Sequence, residues 1–273
     1  MKLAFVTCVQ LGLSCMEAIY EAGGELVQAF TLKDDRATNK SGRVYIDKFC
    51  EEHEIDLFKL NHVNDQEVID IIKEKEIDWL FIIGWSQIAG KELLNAPKKG
   101  VLGMHPTLLP IGRGRAAIPW AIIKGLEQTG VTLFKLDDGV DTGPILDQQI
   151  IELDETTDAM KLYDLVDSAH ILLMKKVIPN ILQDSVDMSV QDESKATEWN
   201  GRKPEDGLID LNASVEDAHR LIRAVTKPYP GAFIIINNEK HIIWQARKVS
   251  KVTADFCLEF PDGILECVSW EKA

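Results

Sequence analysis

Residues 78–105, DWLFIIGWSQIAGKELLNAPKKGVLGMH, hold the pattern that decides the fold. DWLFIIG is an uninterrupted apolar run, which is typical of a strand buried on both faces. KELLNAP predicts a short helix that ends at Pro97, and VLGMH predicts a second buried strand. A strand, a helix and a strand in this order indicate neighbouring parallel strands joined by a crossover.

The same alternation extends to both sides of this stretch. Strand patterns are LAFVTC, ELVQAFTL, GVTLFKL and ILDQQIIEL, and helix patterns are SCMEAIYEAG, VYIDKFCEEHEI, DQEVIDIIKEKE, IPWAIIKG and residues 157–182. Alternation of this kind predicts an α/β domain with a mostly parallel sheet and helices on both faces.

A polar stretch without apolar rhythm follows the last of these helices. We therefore predict a large domain over residues 1–183 that could hold a catalytic site, a linker over 184–198 and a small domain over 199–273. The small domain has one helix pattern, SVEDAHRLIRAV, and the strand patterns GAFIIIN, KHIIWQARKV, FCLEF and ILECVSW. These short strands predict a mostly-β unit, either a barrel or a sandwich.

The charge of the chain limits the class of partner. The 273 residues include 30 Lys plus Arg and 44 Asp plus Glu, a net charge of −14, and residues 198–273 carry only −2 of it. An acidic surface repels phosphate backbones, which disfavours nucleic acid and anionic membranes but permits a small phosphorylated ligand. The sequence contains no stretch of 18 apolar residues, so it predicts no membrane span. Five cysteines without CxxC spacing favour reduced thiols in a cytoplasmic protein.

Common cofactor motifs are missing from the sequence. It contains no GxGxxG, no GxxxxGK[ST] and no HExxH, and its Cys and His residues are not clustered. A nicotinamide enzyme, a P-loop ATPase and a dedicated zinc site are therefore all disfavoured.

Three predicted strands end in chemically interesting loops. These loops are Gly84–Gln87 after DWLFIIG, His105–Pro110 after VLGM, and Asp137–Gly143 after GVTLFKL. Ligands of α/β sheets bind beyond the carboxyl ends of the strands, so we expect the functional site there.

The second and third of these loops resemble those of the folate-dependent formyltransferases. HPTLLPIGRG is similar to the family pattern Asn-x-His-x-Ser-Leu-Leu-Pro-x-x-Arg-Gly, and GVTLFKLDDGVDTGPIL resembles its second signature. The segment WNGRKPEDGLIDLNAS and the later LIRAVTKPYPGAF resemble the family's C-terminal domain. The resemblance implies a Rossmann-like formyltransferase domain, an OB-like C-terminal domain and N10-formyltetrahydrofolate as cosubstrate, with no metal.

The implied reaction moves a formyl group from the folate to a primary amine. An imidazole can accept and release a proton near neutral pH, and the resemblance makes His105 the acid/base group. It makes Asp141 the carboxylate that orients His105 and holds its charged form. The plainer alternatives are a buried histidine bonded to backbone and a turn aspartate.

One position departs from the family pattern. The family's Asn, two residues before the histidine, is Gly103 here, so its side-chain amide cannot stabilise the oxyanion. Gln87 and Ser86 are the first candidates to replace it, with Thr107 or a water as further ones. Both Ser86 and Gln87 could instead cap the following helix.

The resemblance also implies a folate-binding surface. The pterin is expected against backbone and apolar side chains at the strand ends, with Arg115 as a cation on the folate. Arg113 is either part of this surface or an ordinary surface arginine. The predicted contacts are Gly84, Trp85, Thr107, Leu108, Leu109, Pro110, Arg115, Asp137, Asp138, Gly139 and Val140.

The net charge of the C-terminal domain bears on the class of molecule that accepts the formyl group. A tRNA-binding member should carry a basic C-terminal domain, and this one has a net charge of −2. We therefore expect a nucleotide-linked amino sugar, with methionyl-tRNA as the alternative acceptor. A formyltetrahydrofolate hydrolase and a non-catalytic folate-binding protein also stay open. A homodimer is possible through Phe233, Ile235 and Trp244, which could equally be core residues.

Overall fold

The structure is a computed structural model that describes residues 1–36, 42–252 and 254–273. The chain forms two compact units. The first contains Met1–Arg113, Gly130–Ile150 and Asp167–Thr197, and the second contains Gly114–Thr129, Ile151–Val166 and Glu198–Ala273. The units therefore interleave along the chain, whereas the sequence predicts two successive domains.

The order of elements agrees with the predicted alternation. They are, in chain order, β1 (Leu3–Val6), α1 (Gln10–Glu21), β2 (Leu26–Leu32), α2 (Asp47–Glu52), β3 (Asp56–Leu60), α3 (Gln66–Glu74), β4 (Trp79–Ile82), α4 (Lys91–Leu94), β5 (Gly100–His105), β6 (Arg113–Gly114), α5 (Ala117–Ile123), β7 (Gln128–Lys135), β8 (Ile145–Glu152), α6 (Ala159–Leu182), β9 (Glu198–Trp199), α7 (Val215–Val225), β10 (Ala232–Ile236), β11 (Glu239–Val249), β12 (Cys257–Phe260) and β13 (Gly263–Lys272).

The sheet of the first unit has seven strands in the order β3-β2-β1-β4-β5-β7-β8. The pairs from β3 to β5 are all parallel, and β7 joins antiparallel to β5. The predicted mostly parallel α/β sheet is thus confirmed. The carboxyl ends of β1 to β5 lie along one edge, which is where ligands of such sheets bind.

The strands without a matching sequence pattern are the two-residue strands β6 and β9 and, in the main sheet, β3. Strand β3 lies at the edge of the sheet and pairs only with β2 among the described strands. Its apolar residues Leu57, Phe58 and Leu60 are interrupted by Asp56 and Lys59, so it lacks the continuous apolar run of a central strand. Charged residues are common on edge strands because they discourage pairing with other chains.

The core of the first unit forms where the apolar stripe of α3 meets the sheet. Val68, Ile69 and Ile72 of this helix are buried in one cluster with Val6 of β1 and Leu80 of β4. The positions 68, 69 and 72 follow the helical repeat, which puts them on one face. Full burial of each such side chain contributes about 1.5–3 kcal/mol.

The second unit is built on a four-stranded antiparallel sheet, in the order β10-β11-β13-β12. Helix α7 begins at Ser214, whose hydroxyl accepts the N–H of Asp217 at 3.0 Å. The helix buries Ala218 and Ile222 and packs against β11. The predicted small β-rich region is confirmed. Within the described residues, no helix is both long enough and apolar enough to cross a membrane.

Candidate active site

The centre of the candidate site is the pair His105 and Asp141. His105 is the last residue of β5 and is 8% exposed. Its Nδ1 lies 3.5 Å from Asp141 Oδ2, and its Nε2 lies 2.8 Å from the carbonyl oxygen of Gly112. A carbonyl can only accept, so Nε2 carries a hydrogen, and Nδ1 is the nitrogen that faces the carboxylate. The structure thus brings together the two residues that the sequence predicts as an acid/base pair.

The backbone of Asp141 is held by a residue that the sequence analysis does not identify. Gln191 is 5% exposed, and its Nε2 donates to the carbonyl oxygens of Asp141 at 2.9 Å and Gly143 at 2.7 Å. Asp141 has a φ of 56°, in the left-handed region that aspartate tolerates better than most residues. Gln191 therefore fixes a backbone position from which the carboxylate reaches His105.

Arg113 continues this network on the other side of Gln191. Its Nε and Nη2 donate to Gln191 Oε1 at 3.2 and 2.8 Å, and its other contacts are two bonds to Glu193, at 2.9 and 2.7 Å. These bonds to Glu193 raise the pKa of the Arg113 guanidinium and lower that of the carboxyl. Arg113 is thus neither a surface arginine nor free to reach the folate.

The predicted linker, residues 184–198, also needs correction, because part of it is hydrogen-bonded to the loop around Gly112. Thr197 Oγ1 accepts the N–H of Gly112 at 2.9 Å, and its backbone bonds to Pro110 and Arg113 at 3.1 and 2.9 Å. Residues 191–197 are therefore part of the first unit, where they brace the loop that carries Gly112. Gln191 is the buried residue of this stretch, whereas residues 192–195 and 197 are exposed, so hydrogen bonds hold a largely exposed polar segment to the first unit.

The loop Thr107–Pro110 is shaped by Thr132 of β7. The Thr132 hydroxyl donates to the carbonyl of Thr107 at 2.7 Å and accepts the N–H of Leu109 at 3.1 Å and the amide of Gln148 at 2.8 Å. The Leu109–Pro110 peptide bond is cis. Leu109 is buried, and Leu108 packs where a Cβ at Gly130 would stand. These two side chains face the protein, and the backbone carbonyls of residues 107–110 already accept hydrogen bonds within it, so the folate contacts of this loop stay a prediction.

The loop Asp137–Gly143 is closed by its own first residue. Asp137 Oδ1 accepts the N–H of Gly139 at 3.0 Å and the hydroxyl of Thr142 at 2.7 Å. Asp138 is exposed and forms an ion pair with Lys91 at 3.4 Å, and Val140 is 60% exposed. An exposed apolar residue at a site rim is available to an apolar ligand.

The loop Gly84–Gln87 follows β4, next to β5 in the sheet. Gly84 has a φ of 67°, and a Cβ there would lie 2.3 Å from the Val9 side chain. Gln87 Oε1 accepts the N–H of Val63 at 2.8 Å, and its Nε2 donates to the carbonyl of Asn61 at 3.2 Å. Both ends of this amide are therefore engaged with backbone, which argues against Gln87 as the oxyanion donor.

Gly103 occupies the position of the family's asparagine, on the same strand as His105. A Cβ at Gly103 would lie 2.7 Å from Leu136 Cδ2, so a side chain at this position would require the end of the Leu136 side chain to shift. Leu136 therefore fills the space that a longer residue at 103 would need. The glycine in place of the family's asparagine therefore agrees with the packing of Leu136 at this position.

Arg115 belongs to the second unit, unlike the other predicted site residues. It is exposed, and its N–H donates to the carbonyl of Trp199 at 3.0 Å. Its side chain packs beside Gly201, where a Cβ would lie 3.5 Å from Arg115 Cδ. Its prediction as a folate contact stays a prediction. In the described part of the chain, no group of three or more His, Cys, Asp or Glu could hold a metal ion.

Comparison with protein families decides the class. The formyl transferase family matches residues 2–178, and its C-terminal domain matches residues 202–259. The chain belongs to the formyl transferase family. The predicted enzyme class, a formyltransferase, is thereby confirmed.

Two kinds of relative are similar to this formyltransferase. The bifunctional polymyxin resistance protein ArnA of Wigglesworthia glossinidia brevipalpis is 32% identical over 94% of this chain, which spans 39% of that protein. Among solved structures, an N-formyltransferase of Helicobacter canadensis in complex with folinic acid and dTDP-3-aminofucose has a TM-score of 0.73 and 21% identity, covering 97% of each chain. Methionyl-tRNA formyltransferase of Clostridium thermocellum has a TM-score of 0.60 and 23% identity, covering 93% of this chain and 97% of that one. At these identities the two structures support the fold alone.

Proposed function

We propose that this formyltransferase transfers the formyl group of N10-formyltetrahydrofolate to the primary amine of a nucleotide-linked amino sugar. The observation that carries the chemistry is the pair His105 and Asp141, 3.5 Å apart at the carboxyl end of a central strand. Family membership supplies the reaction class.

The amine nitrogen attacks the formyl carbon, so a new N–C bond forms and an oxyanion develops on the formyl oxygen. The bond from that carbon to N10 of the folate then breaks, the amine loses a proton, and N10 gains one. His105 and Asp141 hold the proton in transit at Nδ1, since Nε2 is bonded to the Gly112 carbonyl.

The oxyanion needs a donor other than residue 103. Thr107 is a stronger candidate than Gln87, because its hydroxyl is buried and has no hydrogen-bond partner among the residues that the structure describes. Ser86 is exposed on the neighbouring strand end and is the second candidate. Thr107→Val removes the Thr107 hydroxyl at constant shape, and Ser86→Ala removes the Ser86 hydroxyl. The oxyanion donor is the residue whose substitution lowers kcat by about 10²-fold or more.

The folate is proposed to lie against the strand-end loops. We propose contacts from Gly84, Trp85, Thr107–Pro110 and Asp137–Val140, with the exposed Val140 as an apolar contact. Arg115 completes the predicted set. We further propose a cytoplasmic reaction, supported by five free cysteines, and a homodimer, which light scattering would test.

The amino-sugar acceptor is supported by two observations. The chain has a net charge of −14, which disfavours tRNA. The Helicobacter canadensis structure, of similar fold, binds a nucleotide-linked amino sugar. Methionyl-tRNA remains the second candidate, because a methionyl-tRNA formyltransferase also shares the fold.

The test incubates the protein with N10-formyltetrahydrofolate and a panel of nucleotide-linked amino sugars, and follows the gain of one formyl group by mass spectrometry. Initiator methionyl-tRNA is assayed in parallel, with His105→Ala protein as the blank. We expect formylation of at least one sugar. Turnover of the tRNA with no sugar modified would show that the acceptor is wrong.

A further inference from the structure

A cavity of about 270 Å³ lies in the second unit, between the start of α5, the short helical turn Pro204–Gly207 and the loop after α7. All of its lining residues belong to this unit, whereas His105 and Asp141 belong to the first. None of the residues named so far for the reaction lines it. The cavity is therefore a candidate site for a ligand that the reaction does not account for.

The walls of this cavity are mostly apolar and are held in place by hydrogen bonds. Pro119 and Val225 are buried, and Tyr229 adds an aromatic ring whose hydroxyl lies 2.9 Å from the hydroxyl of Tyr163. The N–H of Gly231 donates to the carbonyl oxygen of Val225 at 2.9 Å, which closes the loop after α7. Since the walls are formed before a ligand arrives, binding costs little ordering of the protein.

Arg202 is a cation in this lining that has no counter-ion. It is half-buried, and it forms no ion pair with any residue that the structure describes. Its Nη2 donates to the carbonyl oxygen of Asp206 at 2.8 Å, and its guanidinium carbon lies 5.0 Å from the centre of the Trp120 ring. Burial lowers the pKa of Arg202. A charge taken partly out of water without a counter-ion is unfavourable, and an anion bound in the cavity would relieve that cost.

The charges of the lining favour a ligand with a single negative charge. Arg202 and Lys203 are its charged residues and no carboxylate lines it, although the chain has a net charge of −14. Lys203 is exposed, so Arg202 supplies the one positive charge that is partly withdrawn from water. A carboxylate balances that charge and fits the paired N–H groups of a guanidinium. A phosphate group carries more charge and more acceptor oxygens than this apolar lining satisfies.

The volume of the cavity determines the size of the apolar part of the ligand. An apolar cavity of about 150 Å³ binds benzene, so about 270 Å³ holds an aromatic ring with a short chain and a carboxylate. The ring of Tyr229 offers an aromatic ligand an offset or edge-to-face contact. We propose that the second unit binds a small aryl carboxylate in this cavity, with the carboxylate on Arg202 and the ring against Val225 and Tyr229.

The test is calorimetric titration of the full chain with phenylacetate, phenylpropanoate and indolepropanoate, and with the amide of each, which has the same shape without the charge. We expect at least one acid to bind, and its amide to bind about tenfold more weakly or worse. Arg202→Gln should weaken the acid by a similar factor and leave the amide unchanged. Val225→Phe, which fills the cavity, should abolish the binding of both, with circular dichroism to show that the variant is folded. Lys251→Gln, which removes one exposed positive charge from the same unit, is the matched control and should change nothing.

The absence of binding by any of the three acids overturns the assignment, as do equal affinities for each acid and its amide. Binding that neither Arg202→Gln nor Val225→Phe weakens places the acid elsewhere and overturns it too. Because a folate also carries an aromatic ring and carboxylates, 5-formyltetrahydrofolate is titrated against the bound acid. Displacement of the acid would mean that the cavity belongs to the folate site and is not a separate one. These titrations involve no turnover, so their outcome does not depend on which acceptor is formylated.

Discussion

The end of β5 and the loop Gly84–Gln87 after β4 lie on one sheet edge but differ in how their polar groups are satisfied. Around His105, each ring nitrogen faces an acceptor, and Gln191 bonds Arg113 on one side and the Asp141 backbone on the other. In the loop Gly84–Gln87, the indole N–H of Trp85 is buried and has no acceptor within the described part of the chain. A constellation that does chemistry gains from fixed geometry, whereas a surface that binds gains from donors left for the ligand.

The largest effect is expected from breaking the pair itself. Asp141→Asn keeps a residue that tolerates the left-handed backbone but removes the charge beside Nδ1, so kcat should fall about 10²–10⁴-fold. Steady-state kinetics and calorimetry with 5-formyltetrahydrofolate measure the loss of rate and the retention of folate. Asp184→Asn, at an exposed carboxylate paired with Lys99, is the control and should keep its rate. A near-normal rate for Asp141→Asn would remove this residue from the mechanism.

The next effect tests whether the fixed geometry depends on Gln191. Gln191→Leu removes both donors to the Asp141 and Gly143 carbonyls, and we expect kcat to fall about 10²-fold while the KM for the acceptor stays unchanged. Gln191→Glu keeps an acceptor for Arg113 but cannot donate, so it should lose kcat as well. Full activity of the glutamate variant would mean that the bond to Arg113 alone is sufficient. Thermal unfolding of both variants separates lost position from lost stability.

A smaller effect is expected at Gly103. Gly103→Asn places a side chain against Leu136, so it should lower the free energy of unfolding by about 1–3 kcal/mol. Denaturant unfolding of this variant, of Leu136→Ala and of the double variant measures the coupling. The double variant should be more stable than the sum of the two single changes predicts. Additive effects would show that Leu136 does not occupy the space in question.

The smallest effect is expected on the pH dependence of stability, through a buried ring nitrogen of His219. Nδ1 of His219, in the second unit, is buried and has no partner among the described residues, and Nε2 bonds to the carbonyl of Ala246 at 3.2 Å. Desolvation, and then the charge of Arg223, lowers the pKa of His219 in the folded state. Its contribution to stability is therefore present above the unfolded pKa of about 6.5 and is lost as pH falls below it.

The measurement is the Tm at pH 7.5 and at pH 5.5 for the wild type and for His219→Gln. We expect the wild type to lose on the order of 2 °C more than the variant between the two pH values. Equal losses would mean that His219 titrates alike in the folded and unfolded chain.

The elements with strong local patterns were predictable. Buried runs such as DWLFIIG predict the strands of the sheet, and amphipathic patterns predict helices such as α3. His105 lies at the end of such a strand, and Asp141 lies in the loop after another. The edge strand β3 was not, because Asp56 and Lys59 break its apolar pattern. Its pairing is set by β2, which a local pattern does not contain.

The parts of the site that depend on distant segments also escaped prediction. Gln191 lies in a polar stretch that resembles a linker, and only the fold brings it 2.9 Å from the carbonyl of Asp141, fifty residues earlier. Gln87 and Arg113 have the chemistry of site residues, but backbone carbonyls and Glu193 engage them. A residue type indicates what a side chain can do, and its partners decide whether it is available.

The place of Gln191 in the chain has a consequence for how the enzyme is made. Proteins emerge from the ribosome at about 5–20 residues per second, N-terminal part first. His105 and Asp141 are synthesised well before the glutamine that fixes their geometry, so the nascent chain carries both reacting groups in an unfinished setting. Residues 191–197 complete it, and activity should switch on only when this late segment has folded back onto the loop of Gly112.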